Sequence, residues 1–444
     1  MDMAPQTGLS GRILFDTYNI MLPKGTGVAT YARALFRTAG QLGLRPELIY
    51  DYQGSEIPRN LELATAILFE DKEKRLTKLD HVRNMIEAWG NPWTTAQAIK
   101  LPETSFLLEE PIRARLMHTD QRYIARNLYS LGGRYFSAHR KLYPIRFDTR
   151  SGAGRAPDIA HFTFQLPVRV KGAANLYTLH DLVPLIMPYA TLENRKNSYA
   201  LLKEIGRSAD HIVTVSEHSR QDIIKVLGVS EDRVTNTYQA IDLPQSAIDK
   251  PRAHVEDEVS GIFNLEPDGY FLFFGAIEPK KNVRRLIEAY LSSRVRRPLV
   301  IVSSGGWLNK VELQLIADNP RRPDGSGIAQ VGYLPYEFLV SLIKGARAVT
   351  FPSVYEGFGL PVLEAMALGT PVLTSNTSSL LEVAGDAAVT VDPISVESIR
   401  DGLRRLDADD DLRRELRQRG LAQARKFSAD AYRERLSSLY RKVL

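Results

Sequence analysis

Short apolar runs and stretches of helical period alternate along most of this chain. Arg12-Ile-Leu-Phe-Asp16 reads as a strand, and Val28, Tyr31, Leu35 and Ala39 place a helix over about 28–42. Further strands are expected at 47–50, 158–162, 175–179 and 211–215, with helices at 193–207 and 217–226. The same rhythm returns at 270–274, 299–303, 328–331, 348–351, 371–374 and 388–391. Helices are expected between those strands at 283–293, 336–344, 360–368, 396–406 and 412–426. Strands alternating with helices predict an α/β protein whose parallel sheets are covered on both faces.

Two breaks in the rhythm divide the chain. Residues from about 53 to 155 are rich in helix formers, Arg and Tyr, with a pair at Gly132-Gly133, and read as a largely helical insertion. Residues 251–268 are polar, contain Pro251, Gly261 and Pro267, and read as a linker. The expected organisation is a first domain over 1–250, the linker, a second domain over 269–427, and a C-terminal helix over 428–444 that packs back towards the first domain. A length of 444 residues agrees with two cores rather than one.

Composition narrows the class. Apolar residues make up 44% and charged residues 25%, as in globular proteins, and no apolar run reaches membrane-spanning length. Met1 to Ser10 has neither a basic nor an apolar signal-peptide region. Cysteine is absent, which excludes disulfides and thiolate metal sites and fits a cytoplasmic home. The net charge of +6, from 58 basic and 52 acidic side chains, is too mild for a nucleic-acid binder. It suits a protein that holds a diphosphate and touches an anionic membrane face. Residues 113–147 interleave Arg113, Arg115, Arg122, Arg126 and Arg134 with Tyr123, Tyr129, Tyr135, Phe136 and Tyr143. That mixture suits peripheral contact with the inner membrane face or a lipid-linked acceptor; the plainer alternative is a subdomain whose rings pack inward.

The densest chemistry lies in the run from Pro352 to Pro371. A strand ends near Phe351, Glu356-Gly-Phe-Gly359 forms a turn, Pro361 sits in the first turn of a helix, and Gly369 closes that helix. A glycine turn feeding a helix N-terminus offers free N–H groups and a positive dipole end to an anion. Glu356 and Glu364 are eight residues apart, about 12 Å if helical. Two clamps on a long ligand fit that spacing better than the paired carboxyls of a glycosidase, which stand about 5–9.5 Å apart.

The pattern Glu356, seven residues, Glu364, with Gly-Phe-Gly-Leu-Pro between, resembles the signature of retaining GT-B glycosyltransferases of family 4. The segments Leu179-His-Asp-Leu-Val-Pro184 and Ala209 to Ser219 extend the resemblance into the first domain. It implies two Rossmann-like domains, the first on the acceptor side and the second holding a nucleotide sugar. By the same resemblance Glu356 holds donor-sugar hydroxyls. Phe358, Gly359 and Leu360 lend backbone to sugar and diphosphate, and Glu364 binds the ribose. Gly275-Ala-Ile-Glu-Pro-Lys-Lys-Asn282 matches the diphosphate loop, with Lys281 as the phosphate-binding lysine. Many members carry an arginine where this chain has Ala276, and Lys280 or a neighbouring arginine is the expected replacement. His180 resembles the histidine beside the sugar. Gly25 and Gly27 resemble the loop that approaches the diphosphate, and Tyr333 and Leu334 the segment lining the base.

Negative charge grows on the departing diphosphate, and Lys281, loop N–H groups and a helix N-terminus would meet it there without a metal. No cofactor is implied, because the nucleotide sugar is a substrate. Asp407-Ala-Asp-Asp-Asp411 is expected to be a solvated turn and helix cap. The diphosphate loop is similar to that of bacterial mannosyltransferases of surface-polysaccharide assembly. The reading is therefore a retaining, metal-independent hexosyltransferase acting on a saccharide or lipid-linked acceptor, with GDP-mannose as first donor and UDP-glucose or another NDP-hexose as alternative. A sugar-nucleotide epimerase, a phosphorylase that uses free phosphate and a non-catalytic partner subunit remain as rivals.

Overall fold

The computed structural model describes residues 8–22, 27–69, 82, 84–87, 89, 92–102, 119–148, 152–192, 194–303, 305–307 and 309–444. Gly25, Arg113 and Arg115 lie outside them.

The first domain is built on an eight-stranded sheet with Arg12–Asp16 in the middle. On one side follow Arg45–Tyr52, Gln121–Arg126 and the short antiparallel Ile99–Lys100. On the other follow Ile159–Phe162, Ala174–Thr178, His211–Thr214 and Val234–Asn236, all parallel. Ile159–Phe162 and His211–Thr214 are buried along their whole length, the pattern of parallel strands covered on both faces. The chain leaves the central strand in one direction and returns in the other. That reversal opens a crevice at the carboxyl ends of Arg12–Asp16 and Ile159–Phe162, where open α/β sheets bind ligands.

The second sheet has six parallel strands in the spatial order Ile328–Val331, Leu299–Val302, Phe271–Phe274, Ala348–Phe351, Val372–Ser375, Val389–Val391. Its reversal lies between Phe271–Phe274 and Ala348–Phe351, each buried throughout. Apolar side chains of its helices, Leu286 and Ile287 on Val283–Ser293 and Ile399 and Leu403 on Val396–Ala408 among them, complete the core.

Two expectations are corrected. The insertion is not largely helical among the described residues. Helices Leu61–Phe69 and Leu128–His139 are present, but Gln121–Arg126 is a strand of the central sheet and Tyr143–Arg146 joins a small three-stranded sheet. Arg122 and Arg126 disguise the first of these strands, whose centre, Tyr123, Ile124 and Ala125, is fully buried. Tyr123, Tyr135, Phe136 and Tyr143 are all buried, so these four rings pack into the core. The polar stretch expected as a linker contains a helix, Arg252–Gly261, which buries Val255 and Val259, one turn apart. They pack at Gly345, which has no room for a Cβ beside Val259 and the Tyr270 hydroxyl.

The last helix, Ala429–Val443, starts on the Ser428 cap and crosses to the first domain. There the Tyr440 hydroxyl meets His161 Nδ1 at 2.9 Å, and the helix lies against Gly27–Gln41.

Candidate active site

The two crevices face each other, and backbone contact joins their rims. A Cβ added to Gly357 would stand 2.6 Å from the carbonyl oxygen of His180, so only glycine permits this approach. Ser219 Oγ donates to the His180 carbonyl at 3.1 Å and reaches the Gly357 carbonyl at 3.4 Å. Gly27 starts the first helix against Leu360 of the other domain, with 3.4 Å left beside its absent Cβ.

On the second-domain rim, the turn 279–281 ends at Asn282, which holds φ 61°. The Asn282 side-chain amide donates to the carbonyls of Pro352 and Pro393 at 2.9 and 2.6 Å. Val354 N donates to the Lys280 carbonyl at 2.8 Å. These bonds bind the lysine loop to the Glu356 loop. Lys281 Nζ then donates to Glu356 Oε1 at 2.6 Å and stands 4.7 Å from the centre of the Phe351 ring. Lys280 Nζ lies 3.9 Å from Glu356 Oε2 and 3.8 Å from Asp181 Oδ2 in the first domain.

Five charges therefore share one small volume. Burial would raise the Glu356 pKa, but Lys281 and Lys280 outweigh it and hold the carboxyl below its usual range. Burial would lower Lys280, but Glu356, Asp181 and Glu278 outweigh it and raise the ammonium. Glu278 is pushed up by its burial, partly offset by the lysines. Three carboxylates against two ammonium groups leave the crevice without a surplus of positive charge. An anion bound by these lysines would compete with Glu356 for them and leave that carboxylate open to other hydrogen bonds.

Phe358 buries its ring beside Tyr238 and Phe427, so backbone is what it offers the crevice. Ser379 Oγ fixes that backbone by sharing its one hydrogen between the carbonyls of Glu356 and Phe358, both at 2.8 Å. Gly359, at φ 112°, turns the chain into helix Leu360–Ala367 with Pro361 in its first turn. Glu364, on that helix, is pushed up to about 7 by burial alone. Glu364 in turn helps raise Tyr336, whose phenol is shifted chiefly by its own burial. Tyr333 is exposed and Leu334 packs half-buried against the core after strand Ile328–Val331.

On the first-domain rim, His180 is buried and its pKa is lowered by burial. Its Nε2 meets the Thr163 carbonyl at 3.0 Å, and a carbonyl only accepts, so Nε2 carries the hydrogen. Nδ1 of the neutral ring is then an acceptor suited to a sugar hydroxyl. Tyr31 supports the ring edge-on at 4.8 Å. Asp181 Oδ1 accepts from Val183 N at 3.0 Å, which makes it a cap for the turn that follows.

His180, Lys280, Lys281, Glu356, Phe358, Gly359, Leu360 and Gly27 thus come together where the domains meet. Glu278, Asp181 as the partner of Lys280, Tyr336 and Ser219 were not singled out for the site in the sequence. A carboxylate one residue before Pro279 and a phenol three residues after Tyr333 were the available signals. The acidic run at 407–411 lies elsewhere: Asp409 caps helix Asp410–Arg425 through Leu412 N, and Asp407 pairs with Arg297 at 2.9 Å rather than standing solvated.

Opposed Rossmann-like crevices, one of them lined by lysines and a glycine turn, define a two-domain α/β fold with a cleft between its domains. The family model "Glycosyl transferases group 1" matches residues 256–423, and "Glycosyltransferase Family 4" matches 108–245. The chain is 38% identical over 271 residues to the O-antigen chain mannosyltransferase B of Escherichia coli, covering 60% of this chain and 69% of that protein. It is 30% identical over 299 residues to the serotype-specific mannosyltransferase WbdA of Escherichia coli, covering 62% of this chain but 36% of that longer protein. The crystal structure of Anabaena HepE in complex with UDP-glucose superposes with a TM-score of 0.64 at 12% identity, over 97% of this chain and all of that one. The chain belongs to the group 1, family 4 glycosyltransferases, and its fold is GT-B.

Proposed function

We propose that this enzyme transfers mannose from GDP-mannose, with retention and without a metal, to a saccharide or lipid-linked saccharide of a surface polysaccharide. The single observation that carries the reading is the Lys281–Glu356 pair at 2.6 Å beside the glycine turn of helix Leu360–Ala367. A donor diphosphate takes over the lysine and the turn's N–H groups, and the donor sugar takes over the released carboxylate. The leaving group's growing charge is met by Lys281, Lys280 and the helix N-terminus, which is where charge stabilisation lowers a barrier most. Relatives that bear the name of O-antigen and serotype-specific mannosyltransferases support mannose as the sugar. UDP-glucose, the ligand of HepE, is the alternative donor.

Retention is supported by the commitments of the nearest carboxylate to His180. Asp181 caps Val183 N and faces Lys280, which leaves it poorly placed to take a proton from behind the sugar. The departing diphosphate is then the base available on the front face. Phe358, Gly359 and Leu360 offer backbone to the diphosphate, Glu364 the ribose contact, and Tyr333 and Leu334 a wall for the base. For a lipid-linked acceptor, the exposed Ile86, Trp89 and Trp93 are the membrane-facing side chains, in place of the buried rings of 123–143.

A donor screen tests the reading. Purified protein with an α-mannoside acceptor should release GDP from GDP-mannose and give an α-linked product by NMR coupling. Release from UDP-glucose alone would replace the donor, a β-linkage would overturn retention, and donor isomerisation without transfer would make the chain an epimerase. Release of no nucleotide from any donor would make it a non-catalytic partner.

A further inference from the structure

We propose that Tyr18, stacked on Phe164, is the platform on which the acceptor lays the terminal sugar of a mannose-containing saccharide. The proposal rests on the transferase reading above and supplies what that reading leaves open, the place of the acceptor. The two crevices differ sharply in chemistry. The second-domain crevice is crowded with charge, whereas the first-domain crevice carries rings. Tyr18 stands two residues beyond strand Arg12–Asp16, and Phe164 two residues beyond Ile159–Phe162, so the pair straddles the point where the first sheet reverses.

Their rings lie 6.0 Å apart at 17°, and Tyr129 braces Tyr18 edge-on at 5.2 Å. Tyr18 nevertheless remains 47% exposed. An isolated exposed tyrosine would need no explanation, but this one is held in place. Asp16 accepts from Tyr18 N at 3.0 Å and from Thr163 N and Oγ1 at 2.5 and 3.1 Å, which clamps both ring-bearing loops to one carboxylate. Asp16 is a positioning residue in this sense. The row of rings then leads inward, since Phe164 lies 6.3 Å from the His180 ring, whose carbonyl touches Gly357. A flat, prefixed apolar surface beside a polar rim suits a pyranose, which presents a face of C–H groups and an edge of hydroxyls. A neutral acceptor sugar on the rings and an anionic donor on the lysines meet at His180 and Glu356.

Saturation-transfer NMR with α-mannotriose, in the presence of GDP, tests the platform without requiring turnover. Wild-type protein should show saturable binding. Tyr18→Ala and Tyr18→Leu, the latter apolar but not flat, should weaken it at least fivefold with GDP affinity unchanged, and Tyr18→Phe should restore it. Absence of saturable binding in the wild type, or equal binding by Tyr18→Ala, would overturn the proposal. A wild type that binds α-mannotriose but neither GDP nor GDP-mannose would instead refute the donor reading and leave the platform standing.

Discussion

At the scale of single residues, the site is governed by which charges are paired. Glu356 and Lys281 neutralise each other, whereas Glu364 owes its high pKa to burial with no cation to offset it. This contrast gives the two carboxylates different tests. Glu364 at about 7 is partly protonated near neutrality, and in the ribose contact proposed above the hydroxyls would favour its ionised form by donating to it. Nucleotide affinity should therefore rise with pH up to about 7 and level off above it, with proton release on binding at pH 6.5. Calorimetry in two buffers of different ionisation enthalpy reads that proton directly. Glu364→Gln should abolish the component that wild type shows beyond the nucleotide's own titration. Affinity falling with pH would mean that Glu364 acts as a protonated donor. Lys281→Ala should lower kcat by about a hundredfold, since removing one donor to developing charge has effects of that order. The variant leaves Glu356 buried without its closest partner, so thermal unfolding must be measured beside turnover; a stable variant with wild-type kcat would remove Lys281 from the reaction.

At the scale of elements, the decisive features are turns whose shape depends on absent side chains. Gly357 is the clearest, because an alanine there would drive a Cβ to 2.6 Å from the His180 carbonyl and 3.2 Å from the Asp181 Cβ. Gly357→Ala should lower kcat about tenfold or more, because small misplacements of reacting groups are costly, while each domain keeps its own core. Unchanged turnover would show that the rims part during catalysis. The same elements show how much the sequence made legible. Val283–Ser293, Ile328–Val331 and Ala348–Phe351 follow directly from apolar period and their turn residues. Most of the other strands of the two sheets lie within two residues of expectation for the same reason. Gln121–Arg126 was hidden because its flanking arginines carry a helix-like composition, and only pairing with Arg45–Tyr52 makes it a strand. Arg252–Gly261 was hidden because two valines are all it buries. The motif residues of the crevice were legible as a pattern, but the Lys280–Asp181 approach was not, since no local sequence rule joins positions in different domains.

At the scale of the whole molecule, the question is what holds the domains against each other. Helix Glu217–Leu227 begins at the first-domain rim, and its first N–H groups have no partner within the helix. Ser216 Oγ satisfies Ser219 N at 3.0 Å. The N–H groups of Glu217 and His218 are instead satisfied from across the cleft, by Glu382 Oε2 and Oε1, each at 3.0 Å. Tyr355 adds a second tie, its hydroxyl donating to Asp222 on the same helix at 2.6 Å. A helix cap supplied by the other domain makes closure itself the capping event. Charged hydrogen bonds at a helix N-terminus are worth about 1–3 kcal/mol, enough to shift an open–closed balance by roughly 5- to 150-fold. Glu382→Ala should therefore open the ligand-free protein, seen as a larger radius of gyration by small-angle scattering. Turnover should fall, and saturating donor should restore the compact form. Glu382 touches none of the groups assigned to donor or acceptor, so a loss of kcat there, with the fold intact, reports closure and not chemistry. An unchanged radius of gyration together with wild-type kcat would reduce the Glu382 contact to a surface cap with no part in the cycle.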